Sequence, residues 1–226
     1  MRRLAVFTVA ITAAFMVLAT SANAALTRPK LSFIKSGGAT IGWSSTGGSS
    51  PADPYPNTQS IRINAPAGGG ASAYTYGASE ALVDIRGRAL SAIDHLGFDS
   101  KGYLGNGAPR ISLGTHSAND GDHTYFLSAF YCHTGDIGGG WRTSDFIHDT
   151  SCVVFRDNNP TPLTWAQAVT IADANSETVV ANPNDWFLIQ DESPATVNVD
   201  RLSVEHWMWV SSGFSGRVNC NTGDCV

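Results

Sequence analysis

The sequence predicts an all-β chain folded as a single antiparallel β-sandwich of jelly-roll type with one short helix, and three observations predict it. Good helix formers are scarce: lysine is limited to Lys30, Lys35 and Lys101 and glutamate to Glu80, Glu177, Glu192 and Glu205, whereas Gly, Ser and Thr abound. Short apolar runs, several alternating with period two, recur between clusters of Gly, Pro, Asn and Asp. A convincing helical signal is confined to one stretch, after Thr164. Successive strands with one helix on a connection suit a sandwich better than a parallel α/β sheet, and a barrel is the alternative.

The first residues are not part of that domain. Arg2 and Arg3, an apolar stretch from Leu4 to Ala19 and the small residues Ala22-Asn23-Ala24 follow the order of a secretory signal, with cleavage expected after Ala24. The apolar stretch is shorter than the ~20 residues a bilayer core needs, and no basic stop-transfer cluster follows it. The expected mature chain is therefore exported, 202 residues long and without a membrane span. Residues 25–58 form a Gly-, Ser- and Pro-rich segment, mostly loop, with a short strand near Ile41-Gly42-Trp43, and residues 59–226 form the rest of one domain.

Along that domain, Ile61 and Ile63 alternate with Arg62 and Asn64 as a half-buried strand stopped by Pro66 and Gly68-Gly69-Gly70, and Tyr74 and Tyr76 mark another. Leu90 to Phe98 reads as a long strand with Leu90, Ala92, Leu96 and Phe98 on one face and Ser91, Ile93 and His95 on the other. Pro109 to Leu113 is a shorter one, and Asn119-Asp120-Gly121-Asp122 has the chemistry of a hairpin tip. Thr124 to Cys132 is apolar on both faces, as a central strand is, and Cys152 to Phe155 follows after the loop at Gly138-Gly139-Gly140. Beyond the turn Asp157-Asn158-Asn159-Pro160, Thr164 and Gln167 form a capping box, with Trp165, Ala168, Val169 and Ala172 on one helical face. Trp186 to Gln190, Thr196 to Val199 and Leu202 to Val210 read as the closing strands.

Loss of residues 1–24 removes Arg2 and Arg3 and leaves 12 basic against 19 acidic residues, a net charge near −7. Without a basic cluster, nucleic acid and anionic membrane are disfavoured partners. Four cysteines bound for an oxidising compartment read first as disulfides. Of three connectivities, Cys132 with Cys152 and Cys220 with Cys225 is favoured. The second pair closes the short Asn221 to Asp224 turn, and the first joins two apolar runs and contributes ~3 kcal/mol. CxxC spacing, which a zinc cluster would want, is absent.

The segments Leu96 to Leu113 (LGFDSKGYLGNGAPRISL) and Val199 to Val204 (VDRLSV) resemble stretches of secreted bacterial jelly-roll modules, many of which bind carbohydrate. The resemblance covers about a tenth of the mature chain. It implies a sandwich that binds a glycan, and it points to Asp200, at the start of the last strand, as a ligand of a structural calcium, against a solvated turn acid as the plainer reading.

Alternation along the last predicted strand puts Leu202, Val204, His206, Met208 and Val210 on a core face and Ser203, Glu205, Trp207 and Trp209 on the other. Two indoles beside a carboxylate suit stacking on a sugar ring and hydrogen-bonding its hydroxyls, unless the helix near Trp165 covers them. The expected ligand-binding set is thus Trp207, Trp209 and Glu205, with Tyr125 and Tyr131, for an extracellular glycan or cell-surface ligand.

The scattered His116, Asp120, Asp122, His123, His133, Asp136, His148 and Asp149 match no metal-ligand spacing and read as turn residues, and His206 as a hydrogen-bonded core histidine. Neither G-x-S-x-G nor H-E-x-x-H occurs, and Ser32-Phe33-Ile34-Lys35 lacks the partner motifs that give S-x-x-K its meaning. No catalytic residue is assigned. A carbohydrate-active enzyme, pairing Glu205 with Asp191 or Glu192 or His95 with Tyr125, is the alternative to a binding protein. A surface protein with a purely interactive role is the third reading.

Overall fold

A computed structural model describes residues 31–45, 47–49, 59–74, 85–105, 107–132, 136–157, 159–180, 187–191, 194–211 and 214–217. The expected signal segment and the expected Cys220–Cys225 pair lie outside the described residues, as do Tyr76, His133, Trp186 and Glu192. In chain order the strands are β1 (Ser32–Ser36), β2 (Thr40–Ser44), β3 (Ser60–Ala65), β4 (Gly70–Tyr74), β5 (Leu96–Gly102), β6 (Arg110–Ser117), β7 (Gly121–Ser128) and β8 (Asp136–Gly138). They continue with β9 (Trp141–Asp145), β10 (Val154–Arg156), β11 (Thr178–Val179), β12 (Phe187–Asp191), β13 (Ala195–Val204), β14 (Trp207–Ser211) and β15 (Phe214–Arg217).

These strands build two antiparallel sheets. Sheet I has the order β1-β4-β12-β6-β7-β10, with β11 on β6, and sheet II the order β15-β14-β13-β5-β9-β8, with β3 on β13 and β2 on β3. One core lies between them: Ile61, Ile63, Val197, Val199, Leu96 and Phe98 from sheet II meet Ile111, Leu113, Tyr125, Leu127 and Val154 from sheet I. The alternation seen in Ser60–Ala65 is the direct cause, since Ile61 and Ile63 are buried while Arg62 and Asn64 are exposed. The chain is thus an all-β sandwich. Among the described residues, no helix is long and apolar enough to cross a membrane.

The helix Trp165–Ala174 starts where the capping box put it: Gln167 N donates to Thr164 Oγ1 and Thr164 N to Gln167 Oε1. Ala168 and Ala172 are buried, with Trp165 and Val169 packed beside them. Thr164→Ala should remove about 1 kcal/mol of stability. A thermal melt should read this as a fall in midpoint of about 2–4 °C.

Three stretches depart from expectation for local reasons. The described part of residues 25–58 holds two strands where one was expected, because Gly37, at φ +58°, turns β1 of sheet I into β2 of sheet II. Leu90 to Phe98 is not one strand: Leu90–Ala92 is a 3-10 turn, and the strand starts only at Leu96. Leu90, Leu96 and Phe98 are buried as the alternation required, but Ile93, expected on the opposite face, is buried too and Ala92 is only half-buried, because the 3-10 turn breaks the two-residue period. The closing run contains a hairpin: β13 continues to Val204, Glu205 and His206 make the turn, and β14 runs back with Val204 opposite Trp207 and Leu202 opposite Trp209.

Candidate ligand-binding site

β6, β7 and β10 turn their second faces away from the core, and there the sequence places aromatic side chains instead of purely polar ones. Tyr125 and Leu127 of β7 point inward, so Phe126 and Ser128 point outward. Register sets Phe155 of β10 opposite Phe126, and Arg110 of β6 opposite Ser128. The Arg110 guanidinium carbon sits 5.2 Å from the centre of the Phe126 ring, a cation–π arrangement.

Immediately after β7 a 3-10 turn, Ala129–Tyr131, capped by Ser128 Oγ accepting from Phe130 N, brings Tyr131 over this face. Its ring stands 5.1 Å from Phe155 and 4.8 Å, edge-on, from the exposed Phe130. These side chains line a cavity of about 630 Å³, together with Asp157, Asn159 and Pro160. Cys132 and Cys152 are disulfide-bonded, as expected, and the bond joins the chain next to Tyr131 to the chain next to Val153, both of which line this groove. The cross-link fixes the separation of these two segments beside the core cluster to which Cys152 belongs.

Behind the groove, at the edge of the core, lies a charged network. Glu177 is fully buried; its Oε2 accepts from Thr115 Oγ1 at 2.7 Å and from Tyr125 Oη at 2.9 Å, and its Oε1 from Arg156 Nη2 at 2.8 Å. Arg156 Nη2 also donates to Asp120 Oδ2 at 2.9 Å. His123 lies 3.0 Å from Asp120 through Nε2 and 3.0 Å from Asp157 through Nδ1. Burial alone would raise the Glu177 pKa, but three hydrogen bonds and the Arg156 charge outweigh it and hold the carboxyl below its ordinary value. Burial and the neighbouring Glu177 push the Tyr125 phenol well up, so Tyr125 stays a donor. Asp157, which lines the groove, also accepts from Thr124 N at 2.9 Å, so the network braces the groove's rim.

Asp120, His123 and Glu177 bring three ligand atoms within 4.8 Å of one another. Arg156 Nη2, bonded to both carboxylates, supplies the positive charge a cation would bring, so the group is closed on itself.

The expected platform on the last strand is overturned. Trp207 and Trp209 are only 4% and 2% exposed and belong to the core, and Glu205 is 2% exposed. The two-residue turn is the cause: residues opposite each other across a hairpin share a face, and Val204 and Leu202 face the core. Glu205, at φ +52°, uses its carboxylate to accept from Asp94 N at 2.8 Å and lies 3.7 Å from Arg88. Burial raises its pKa despite those partners. Tyr125 is likewise fully buried, its hydroxyl committed to Glu177, so it offers no ring to a ligand. His206 is exposed on the turn and is not a core histidine. Of the expected binding residues, Tyr131 alone lines the groove.

Asp200 is neither on a turn nor solvated. It is a buried strand residue facing Asp99 across β5, and its two oxygens accept from Ser49 N at 2.6 Å and Arg201 N at 2.8 Å. Asp99 accepts from Thr143 Oγ1 and lies 3.7 Å from Arg201 Nη1. Calcium needs 6–8 oxygens, and these carboxylates face amide and guanidinium N–H groups, so the residues do not fit the ion the resemblance implies.

The other residues singled out in the sequence fall at separate places. His116 meets Asp122, and His148 meets Asp145. His95 stands beside His148 and not Tyr125. Asp191 lies on sheet I opposite Ala71, apart from Glu205 on sheet II. Sequence reasoning missed Phe126, Phe155, Arg110 and Glu177. The available signal was the run Thr124 to Cys132 itself, apolar on both faces where only one meets the core. Arg156, a charge ending an apolar strand, was the other. No family model matches the chain, and no curated protein or solved structure matches it either.

Proposed function

We propose that the chain is an exported β-sandwich that binds an extracellular saccharide, or a ligand of similar mixed polarity, in the groove of sheet I. The observation that carries this reading is the set of rings from Phe126, Tyr131 and Phe155 lining one cavity with Arg110, Asp157 and Asn159. Aromatic faces take the C–H face of a pyranose, and charged and amide side chains at the rim take its hydroxyls. The disulfide fixes the walls in advance, which lowers the ordering cost of binding.

Binding is favoured over hydrolysis by the groove's acid content. Among the described residues lining it, Asp157 is the single carboxylate, and both its oxygens already serve His123 and Thr124. A two-carboxylate glycosidase needs a facing pair. The reading is tested by retention on a panel of insoluble polysaccharides, comparing the protein with Tyr131→Ala/Phe155→Ala. If each lost ring costs about 1–2 kcal/mol at the centre of the contact, affinity falls about 100-fold. Equal retention of both proteins, or none of either on any polysaccharide, contradicts the reading.

A further inference from the structure

Three chain reversals meet at one end of sheet II, away from the groove. His95 immediately precedes β5, Asp145 ends β9 and His148 lies in the turn that follows, and His206 sits in the turn between β13 and β14. Because β5 pairs with β9 on one side and β13 on the other, the three imidazoles stand on neighbouring strand ends. The ends are pinned together, Phe146 N donating to Leu96 O at 3.0 Å and Glu205 N to His95 O at 2.8 Å.

Two of these rings already stand at the separation that two ligands of one ion hold. The His95 and His148 centroids are 5.3 Å apart with the planes tilted by 49°. Two imidazoles on a tetrahedral ion, with metal–nitrogen bonds of about 2.0–2.1 Å, hold their centroids roughly 5 Å apart. His148 Nδ1 faces both oxygens of Asp145, at 2.9 and 3.2 Å, which places its proton on Nδ1 and leaves the Nε2 lone pair free. A carboxylate behind an imidazole in this way orients a metal ligand. His95 Nδ1 is buried and has no hydrogen-bond partner, a deficit that a coordinate bond would remove. His206 follows Glu205, whose N donates to His95 O, so the exposed His206 sits on the turn beside the His95 backbone.

We propose that His95, His148 and His206 bind a divalent transition-metal ion of the zinc class, with water completing the shell and Asp145 as the positioning residue behind His148. Imidazole donors select Zn²⁺, Ni²⁺ or Cu²⁺ over Mg²⁺ and Ca²⁺. The site is independent of the saccharide groove, which lies on the other sheet.

The test uses untagged protein freed of metal by chelation, titrated calorimetrically with Zn²⁺ and, separately, with Co²⁺ observed by its visible absorption. Expected are one ion per chain and the absorption of tetrahedral Co²⁺. His95→Ala/His148→Ala should abolish binding, and Asp145→Asn should weaken it about 10- to 100-fold while the metal-free melting temperature of each variant stays near that of the parent. Absence of Zn²⁺ binding, or binding kept by His95→Ala/His148→Ala, overturns the proposal. So does binding lost instead in His123→Ala, which would assign the ion to the network beside Arg156.

Discussion

Trp209→Ala is expected to destabilise the protein by about 3–5 kcal/mol, the range for removing a large aromatic side chain from a core. The ring is 2% exposed, lies opposite Leu202 and joins the cluster between the two sheets. At about 2–4 °C per kcal/mol for a domain of this size, the thermal midpoint falls by roughly 6–20 °C. Urea unfolding should show the loss as a lower midpoint with an unchanged slope. Saccharide affinity of the fraction that remains folded should be unaltered, since the groove is on sheet I and β14 on sheet II. A Trp209→Ala protein as stable as the parent but unable to bind would reverse both roles and restore the indole platform.

Replacing Arg156 by methionine should cost about 3 kcal/mol at neutral pH. Removing one partner of a buried ion pair typically costs 3–5 kcal/mol, and the low end applies because Arg156 keeps a fifth of its surface exposed while Glu177 has none. The variant also carries a distinctive pH signature. In the parent the Glu177 pKa is held below its ordinary 4.5, so its contribution is fully present above that pH and is lost as pH falls through the lowered value. Without the guanidinium, the Glu177 pKa rises toward or above its ordinary value, because burial, the largest influence on it, is less opposed. The stability gap between parent and variant is therefore widest near pH 7 and narrows as pH falls from the variant's raised Glu177 pKa toward the parent's lowered one. Melting curves across pH 3 to 7 check this; a constant gap would mean that Arg156 acts by packing its stem and not through Glu177.

How far the sequence disclosed this molecule depends on the range over which each interaction acts. Local signals were legible: the Thr164 and Gln167 capping box and the alternation of Ile61 and Ile63 appear as read, and the hairpin tip expected over Asn119 to Asp122 falls one residue earlier, with β7 already begun at Gly121. The Cys132–Cys152 bond, resting on spacing and compartment, also formed. What failed was parity. A two-residue reversal at Glu205 carries no Gly, Asn or Asp to announce it, so a hairpin read as one strand and its indoles were assigned to water instead of the core. The groove escaped for the converse reason. It is assembled from β6, β7, β10 and the turn after β7, and only their register brings Arg110, Phe126 and Phe155 side by side. Long-range pairing of this kind leaves no trace in periodicity, and neither does the union of Glu177 with Arg156, which depends on the chain after the helix returning to pair with β6 of sheet I.

The most direct measurement is a titration of ¹⁵N-labelled protein with soluble β-1,4-linked oligosaccharides of glucose, xylose and mannose, following each backbone amide. Binding in the groove predicts that the largest shifts gather at Ser128, Tyr131, Phe155 and Asn159, with Trp207 and Trp209 unmoved. Shifts concentrated on β14, or no shift with any of the sugars, would contradict the assignment of saccharide binding to sheet I.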